Sequence, residues 1–406
     1  MAAPRARTDR RVPGSVRRLA ARADEAGLSR RAFLALLGAT GGLAACGQDD
    51  RRSFRSGRGV PGYLRWGNWP LYLDESHGSH PTLEQFQEES GIEVIYLDSI
   101  GDNDGFYSAV RNRLNNNQDI GYDLVVLTDW MAARWQQRGF TKAWDRAMMP
   151  KTANLLPELG GVSFDPGRTW SMPWQSGLTG LAWNMREVPG GIHSVDDLWS
   201  PDLRGRVDLM VELDDTIGLV LWSQGVDPSS DWGDDQFGAA LEVVEQHVGD
   251  GHVRGVKNNL NYQIDLTSGS ALACVAYSGD ILQLNLEARE DGAEEDPYGF
   301  AVPDSGGLLW SDNFLVPYTS DRVEESQKLI DFYYDPHVAA TVAAWVNYIT
   351  PVVGAQEAMA DIDEELVENE TIFPTKETLA RTTVFRPLDE AEDAQYSSEF
   401  ARATGG

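Results

Sequence analysis

Between Tyr63 and Asp145 strand signals alternate with helix signals, and this limits the fold more than any other feature of the chain. Tyr63-Leu64-Arg65-Trp66 reads as a short strand, and Ile92 to Tyr96 as a β-branched, alternating one. Leu124-Val125-Val126-Leu127 is a continuous apolar run, as a central parallel strand buried on both faces requires. Helical stripes lie between these strands. Thr82 can cap a helix that turns Leu83 and Phe86 inward and stops at Gly91. Phe106, Val110 and Leu114, four apart, mark the next helix, and Met131 to Arg138 forms another that Gly139 ends. Strands alternating with helices predict an α/β fold with a parallel, helix-covered sheet.

The same alternation returns downstream. Gly180 to Asn184, Val207 to Val211, Ala271 to Tyr277 and Asn313 to Pro317 read as strands, the last as a crossing strand. Ser194 to Trp199 starts a helix, and Glu324 to Tyr334, Pro336 to Val346 and Ala355 to Ala360 form three more. About 360 residues follow Cys46, enough for two lobes with a cleft between them. The expected division is 63–172 with 312–350 in the first lobe, and 173–311 with 351–406 in the second.

The amino terminus sets the compartment. Residues 1–45 read as an export signal of the twin-arginine kind, with Ser29-Arg30-Arg31-Ala32-Phe33-Leu34 ahead of an apolar stretch too short to span a bilayer. Leu43-Ala44-Ala45-Cys46 is similar to a bacterial lipobox, so Cys46 is the expected lipid attachment point. Residues 46–62, rich in Arg and Gly, read as a flexible tether. The alternative is a buried amphipathic helix with an incidental cysteine. Cys274, the other cysteine, sits in an apolar strand and reads as a buried small hydrophobe.

The formal charge is −29, and without residues 1–45, which hold nine arginines and three acids, it is −35. Such a field repels nucleic acid and attracts cations, although most of these carboxylates read as solvated surface. Metal and nucleotide chemistry find no motif. The histidines lack ligand spacing, there is no phosphate-binding glycine loop, and Gly101 to Gly105 lacks the flanking acids of a calcium loop. No cofactor or metal is expected.

In open α/β sheets ligands bind beyond the carboxyl ends of strands. Aromatic residues collect at such places: Trp69 and Tyr72 after the first strand, Thr128 with Trp130 after the third, Tyr277, Trp310, and Tyr348. Ordinary packing explains any one of them; the joint pattern is what points to a site. Aromatic faces with carboxylates suit an organic cation, because the ring quadrupole attracts an ammonium and covers its methylene stem. Asp312 beside Trp310 is the sharpest acidic candidate, against the plainer reading of a surface turn. Glu212 and Asp215, three apart before Ile217 to Trp222, are a second pair, with helix capping as the competing reading.

Taken in order, these residues resemble the spermidine/putrescine-binding proteins of bacterial ABC importers. The supporting stretches are Gly67-Asn68-Trp69-Pro70-Leu71-Tyr72, Tyr122 to Val126, Ser163 to Gly167, Ser171 to Gln175, Gly180 to Asn184, Trp310-Ser311-Asp312 and Tyr348-Ile349-Thr350-Pro351. The resemblance implies a two-lobed fold of the periplasmic-binding-protein kind, closing on its ligand. It implies an aromatic box of Trp69, Tyr72, Trp130, Tyr277, Trp310 and Tyr348. Asp312 would hold an amine near the middle, Glu212 and Asp215 would hold a terminal amine, and Thr128 would supply a hydroxyl. The chain departs from the pattern at Thr128, where serine is usual, at Tyr277, where tryptophan is frequent, and near Arg386, where a glutamine is expected. The implied partners are a polyamine and an ABC permease, with the protein a monomer outside the cytoplasm.

Two other classes meet part of the pattern. Paired acids with tryptophans also describe carbohydrate-cleaving enzymes. The same fold could also take another small solute, such as an amino-acid-like amine, a sugar or a metal chelate.

Overall fold

The computed structural model describes residues 63–405; the expected export signal, Cys46 and the expected tether lie outside them. Ten strands form its sheet: β1 (Tyr63–Gly67), β2 (Glu93–Leu97), β3 (Leu124–Thr128), β4 (Met172–Asn184), β5 (Val207–Met210), β6 (Val253–Lys257), β7 (Ala273–Tyr277), β8 (Tyr298–Ala301), β9 (Gly307–Leu315) and β10 (Thr382–Thr383). The main order is β2-β1-β3-β9-β4-β7-β5-β6. β1 pairs parallel with β2 and β3 at one end, and β5 pairs parallel with β6 and β7 at the other. Between these blocks β9 and β4 run antiparallel to each other and to their outer neighbours.

Each long strand has one end in each of two cores. Met172 and Trp174 of β4, with Phe314 of β9, pack with Leu64, Trp66, Leu124 and the helices Val323–Tyr333 and Pro336–Val346. Leu181 and Trp183 of β4, with Leu308 of β9, pack with Val207, Leu209, Val275 and the helices Leu213–Ser223 and Asp234–Gly249. A third core, built on Phe106, Val125, Leu127 and Trp135, covers the opposite face of the first block. The result is a two-lobed α/β architecture of the periplasmic-binding-protein kind, with β4 and β9 crossing between the lobes.

Several expectations change. The strand expected at Gly180 to Asn184 begins eight residues earlier, at Met172. The one expected at Asn313 to Pro317 begins at Gly307, so Trp310 and Asp312 lie within it rather than before it. Local pattern misses this because crossing strands are buried along nearly their whole length, and because Gly177 and Gly180 interrupt β4 while Gly307 opens β9. The first helix is not capped by Thr82: it starts at Pro81, and Thr82 bonds through N and Oγ1 to Asp74. Residues 351–406 also do not pack as one block. Val352, Ala355, Met359, Leu366 and Ile372 join the first core, because the helix Ala355–Met359 lies on the helix Pro336–Val346. Phe385, Leu388, Tyr396 and Phe400 join the second.

Candidate functional site

The crossing strands and neighbouring loops bring four rings into a row. Tyr72 meets Tyr348 edge-on with centroids 5.9 Å apart. Tyr348 meets Trp310 at 5.4 Å, and Trp310 meets Tyr277 at 5.1 Å, both edge-on. Two glycines make room for the row. A Cβ on Gly177 would sit 2.3 Å from the Trp310 ring, and one on Gly279 would sit 2.7 Å from Tyr348. The Tyr348 segment is set by Asn347, whose φ of 63° turns the chain as the helix ends, and by paired backbone bonds between Ser176 and Ile349.

A carboxylate stands behind the hydroxyl of each tyrosine. Tyr72 donates to Asp312 Oδ2 at 2.7 Å. Tyr348 and the buried Tyr262 donate to the two oxygens of Asp280, each at 2.6 Å. Tyr277 donates to Asp215 Oδ2 at 2.7 Å, and Thr179 donates to Oδ1. Asp215 is in the first turn of its helix, yet these bonds aim its carboxylate at β4 and β7. Capping alone therefore does not account for it. Among the described residues, no Lys or Arg forms an ion pair with Asp215, Asp280 or Asp312. Asp312 Oδ1 and Thr128 Oγ1 are buried and have no hydrogen-bond partner there.

The acids respond to this setting as buried carboxyls do. Desolvation pushes Asp312 up to about 7, against the bond from Tyr72 and with repulsion from Asp129. Desolvation brings Asp215 to about 6, against the bonds from Thr179 and Tyr277. Asp280 is raised by burial, opposed by its tyrosines. Glu212 reaches solvent, yet surrounding protein and the like charges of Asp215, Asp104 and Asp102 push it up to about 7. Asp102 and Asp104, distant from Glu212 in sequence, are thus near enough in the fold for their charges to act on it.

Tyr72, Tyr277, Trp310, Asp312, Tyr348 and Asp215 therefore come together as one ring-and-acid row. Thr128 is beside it, since it pairs with Asp312 in the β3–β9 register. Trp69 and Trp130 make no ring pair with the four. Trp69 is partly buried between the first and third cores, and Trp130 carries the Arg134 guanidinium on its face at 4.8 Å. Sequence reasoning missed Asp280, Tyr262 and Thr179. Asp280 follows Tyr277 by three, and an acid in the first turn of a helix looks like an ordinary cap.

Trp130 lines a second, outer crevice of about 290 Å³, with Tyr107, Arg134, Arg138, Asp214, Arg386 and Asp393 around it. Here the cations are paired. Arg134 bonds Asp104 and Asp393, and Arg138 bonds Glu390 at 2.5 Å. Arg386 holds both oxygens of Glu392 and stacks on Trp232 at 4.1 Å. Its charge is thus compensated locally. A hollow of about 490 Å³ at Ser99, Asp102, Phe106 and Tyr122 shares no residue with the ring row.

The bacterial extracellular solute-binding protein family matches residues 82–375. The spermidine/putrescine-binding periplasmic protein of Escherichia coli (strain K12) is 26% identical over 344 residues, covering 83% of this chain and 88% of that protein. The spermidine/putrescine ABC transporter substrate-binding protein PotD from Streptococcus pneumoniae has a similar structure. Its TM-score is 0.71 at 24% identity, covering 84% of this chain and 98% of that one. The TpPotD lipoprotein of Treponema pallidum reaches a TM-score of 0.71 at 18% identity, covering 85% and 100%.

Proposed function

The chain belongs to the bacterial extracellular solute-binding proteins, and from that premise we propose that its cleft captures a polyamine, spermidine or putrescine, for an ABC permease. Family and fold are those of non-catalytic proteins that bind small solutes outside the cytoplasm for ABC import. The ligand is the finer step, and one observation carries it. Asp312 is buried, bonded on one oxygen to a neutral phenol, unpartnered on the other, and set next to the Trp310 ring. A buried carboxylate without a cation is costly, and an ammonium against an aromatic face relieves that cost.

In this reading Asp312 takes an inner amine, and Asp215 with Glu212 takes a terminal one. Asp280 adds negative potential behind Tyr348. The rings cover the methylene stem, with Trp69 and Trp130 flanking the row and Thr128 adding a hydroxyl. The first lobe comprises 63–172, 312–350 and the segment up to about Phe373 that packs with them; the second comprises 173–311 and the rest. A lipid on Cys46 tethers a monomer to the cell membrane, and the acidic surface excludes nucleic acid as a partner.

Thermal unfolding against putrescine, spermidine, spermine, arginine, glucose and glycine betaine tests the proposal. A ligand at ~100 times its Kd adds about 2.7 kcal/mol and raises the midpoint. Midpoints unmoved by every polyamine would reject the ligand. A rise with another solute alone would keep the solute-binding role and replace the polyamine.

A further inference from the structure

Asp312 sits on a strand that is gripped from behind. Side chains alternate along β9, so Trp310 and Asp312 leave one face while Ser311 and Asn313 leave the other. Asp129, buried at the start of the helix Asp129–Gln137, reaches both sides of residue 312. Its Oδ2 accepts the backbone N–H of Ser311 at 2.8 Å, and its Oδ1 accepts the side-chain amide of Asn313 at 2.8 Å. Asn313 Oδ1 in turn accepts the buried Arg168 guanidinium at 2.8 Å, which also bonds the Leu159 carbonyl and Ser171 Oγ. Ser311 Oγ is 2.8 Å from Ser176 Oγ on β4. None of these groups lies in the ring row.

We propose that Asp129 is a positioning residue for ligand capture: by clamping β9 on either side of residue 312 it fixes the Asp312 carboxylate and the Trp310 ring in place before a cation arrives. A site held in its bound geometry loses less conformational freedom on binding, and that saving appears as affinity. The role of Asp312 toward an ammonium rests on the polyamine reading; the clamp itself rests only on the bonds above. Asp129 also acts on Asp312 through charge. The groups bearing on Asp312 are Tyr72, which bonds it, and Asp129, which repels its anion; the Asp312 charge in turn helps keep the Tyr348 phenol protonated. Arg168 balances Asp129 from the far side.

The test is Asp129→Asn in the full protein, with Asn313→Ala as a milder variant that removes one of the two clamping bonds. Carboxyl carbon NMR follows Asp312 in the ligand-free protein, with Asp312→Asn fixing the assignment. Spermidine affinity is measured across the same pH range. In Asp129→Asn the Asp312 titration moves to lower pH, because a neighbouring negative charge is gone. Affinity at about pH 8 falls on the order of tenfold, as loss of a charge-assisted bond implies. The gap to the unaltered protein narrows as pH falls. Asn313→Ala loses less affinity and leaves the titration nearly in place. An unmoved Asp312 titration, or an affinity loss equal at every pH, would overturn the proposal. A moved titration in a protein that binds no spermidine would retain the clamp and reject the polyamine.

Discussion

The ring row and the outer crevice are both lined by carboxylates, but only the crevice supplies their counter-charges. In the crevice Arg134, Arg138 and Arg386 meet Asp393, Glu390 and Glu392 directly. In the row Asp215 and Asp312 meet hydroxyls, and Asp280 meets two hydroxyls and the Gln263 side-chain amide, all of them neutral donors. A hydroxyl satisfies a lone pair and leaves the charge in place. The three crevice arginines are therefore each compensated by a neighbouring acid, although Asp214 there feels chiefly burial and like charge. Among the described residues the acids of the row, by contrast, have no ion-pair partner, as a cationic ligand requires under the proposed function. The fold alone does not create this difference, since both regions lie where the two lobes meet.

Asp312→Asn should have the largest effect on the comparison. Removing one partner of a buried ion pair costs about 2–5 kcal/mol, so spermidine affinity should fall roughly 30-fold or more. The ligand-free protein should gain stability, because an uncompensated buried charge has been removed. Calorimetry and thermal unfolding measure the two parts, and unchanged affinity would erase the distinction between the regions. Asp393→Asn in the crevice should do far less. Arg134 and Asp393 are partly exposed, and such pairs contribute ~0.2–1 kcal/mol, a few-fold in affinity at most. That small effect should shrink further in ~0.5 M salt as the pair is screened. A loss matching that of Asp312→Asn would mean the crevice is part of the binding site.

How much of this was legible in the sequence follows the range of the interactions. The parallel strands were readable, because Leu124 to Leu127 is buried on both faces and its composition says so. Tyr72, Tyr277 and Tyr348 were readable from their places at strand ends and loops, whereas Trp310 lies inside β9 and Trp69 and Trp130 make no ring pair with the row. The lengths of β4 and β9 were not, since each continues through two cores and only the pairing between them fixes its ends. Asp280 looked like a cap, and only the Tyr262 and Tyr348 hydroxyls, 18 and 68 residues away, give it another role. Arg386, near the place where a glutamine is expected, shows its partner only in the fold, where Glu392 in the first turn of the helix Glu390–Thr404 holds it. Gly177 and Gly279 carried no visible signal, because the rings they admit are distant in sequence.

The uncompensated row makes the most direct test a comparison of thermal unfolding with and without spermidine from about pH 5 to about pH 8. Asp215 at about 6, with Asp312 and Glu212 at about 7, lies above the ordinary carboxyl range in the folded state. Each therefore contributes stability below its unfolded pKa that is lost as pH rises through its folded value. The ligand-free midpoint should fall across that window on their account. A bound ammonium favours the ionised carboxyls, so the spermidine-induced rise should be small at about pH 5 and grow through pH 6 to 7. A rise that grows with pH in this way, and is lost in Asp312→Asn, is the predicted result. No rise, or one that is the same at every pH, would contradict the claim that these buried carboxylates await a cation.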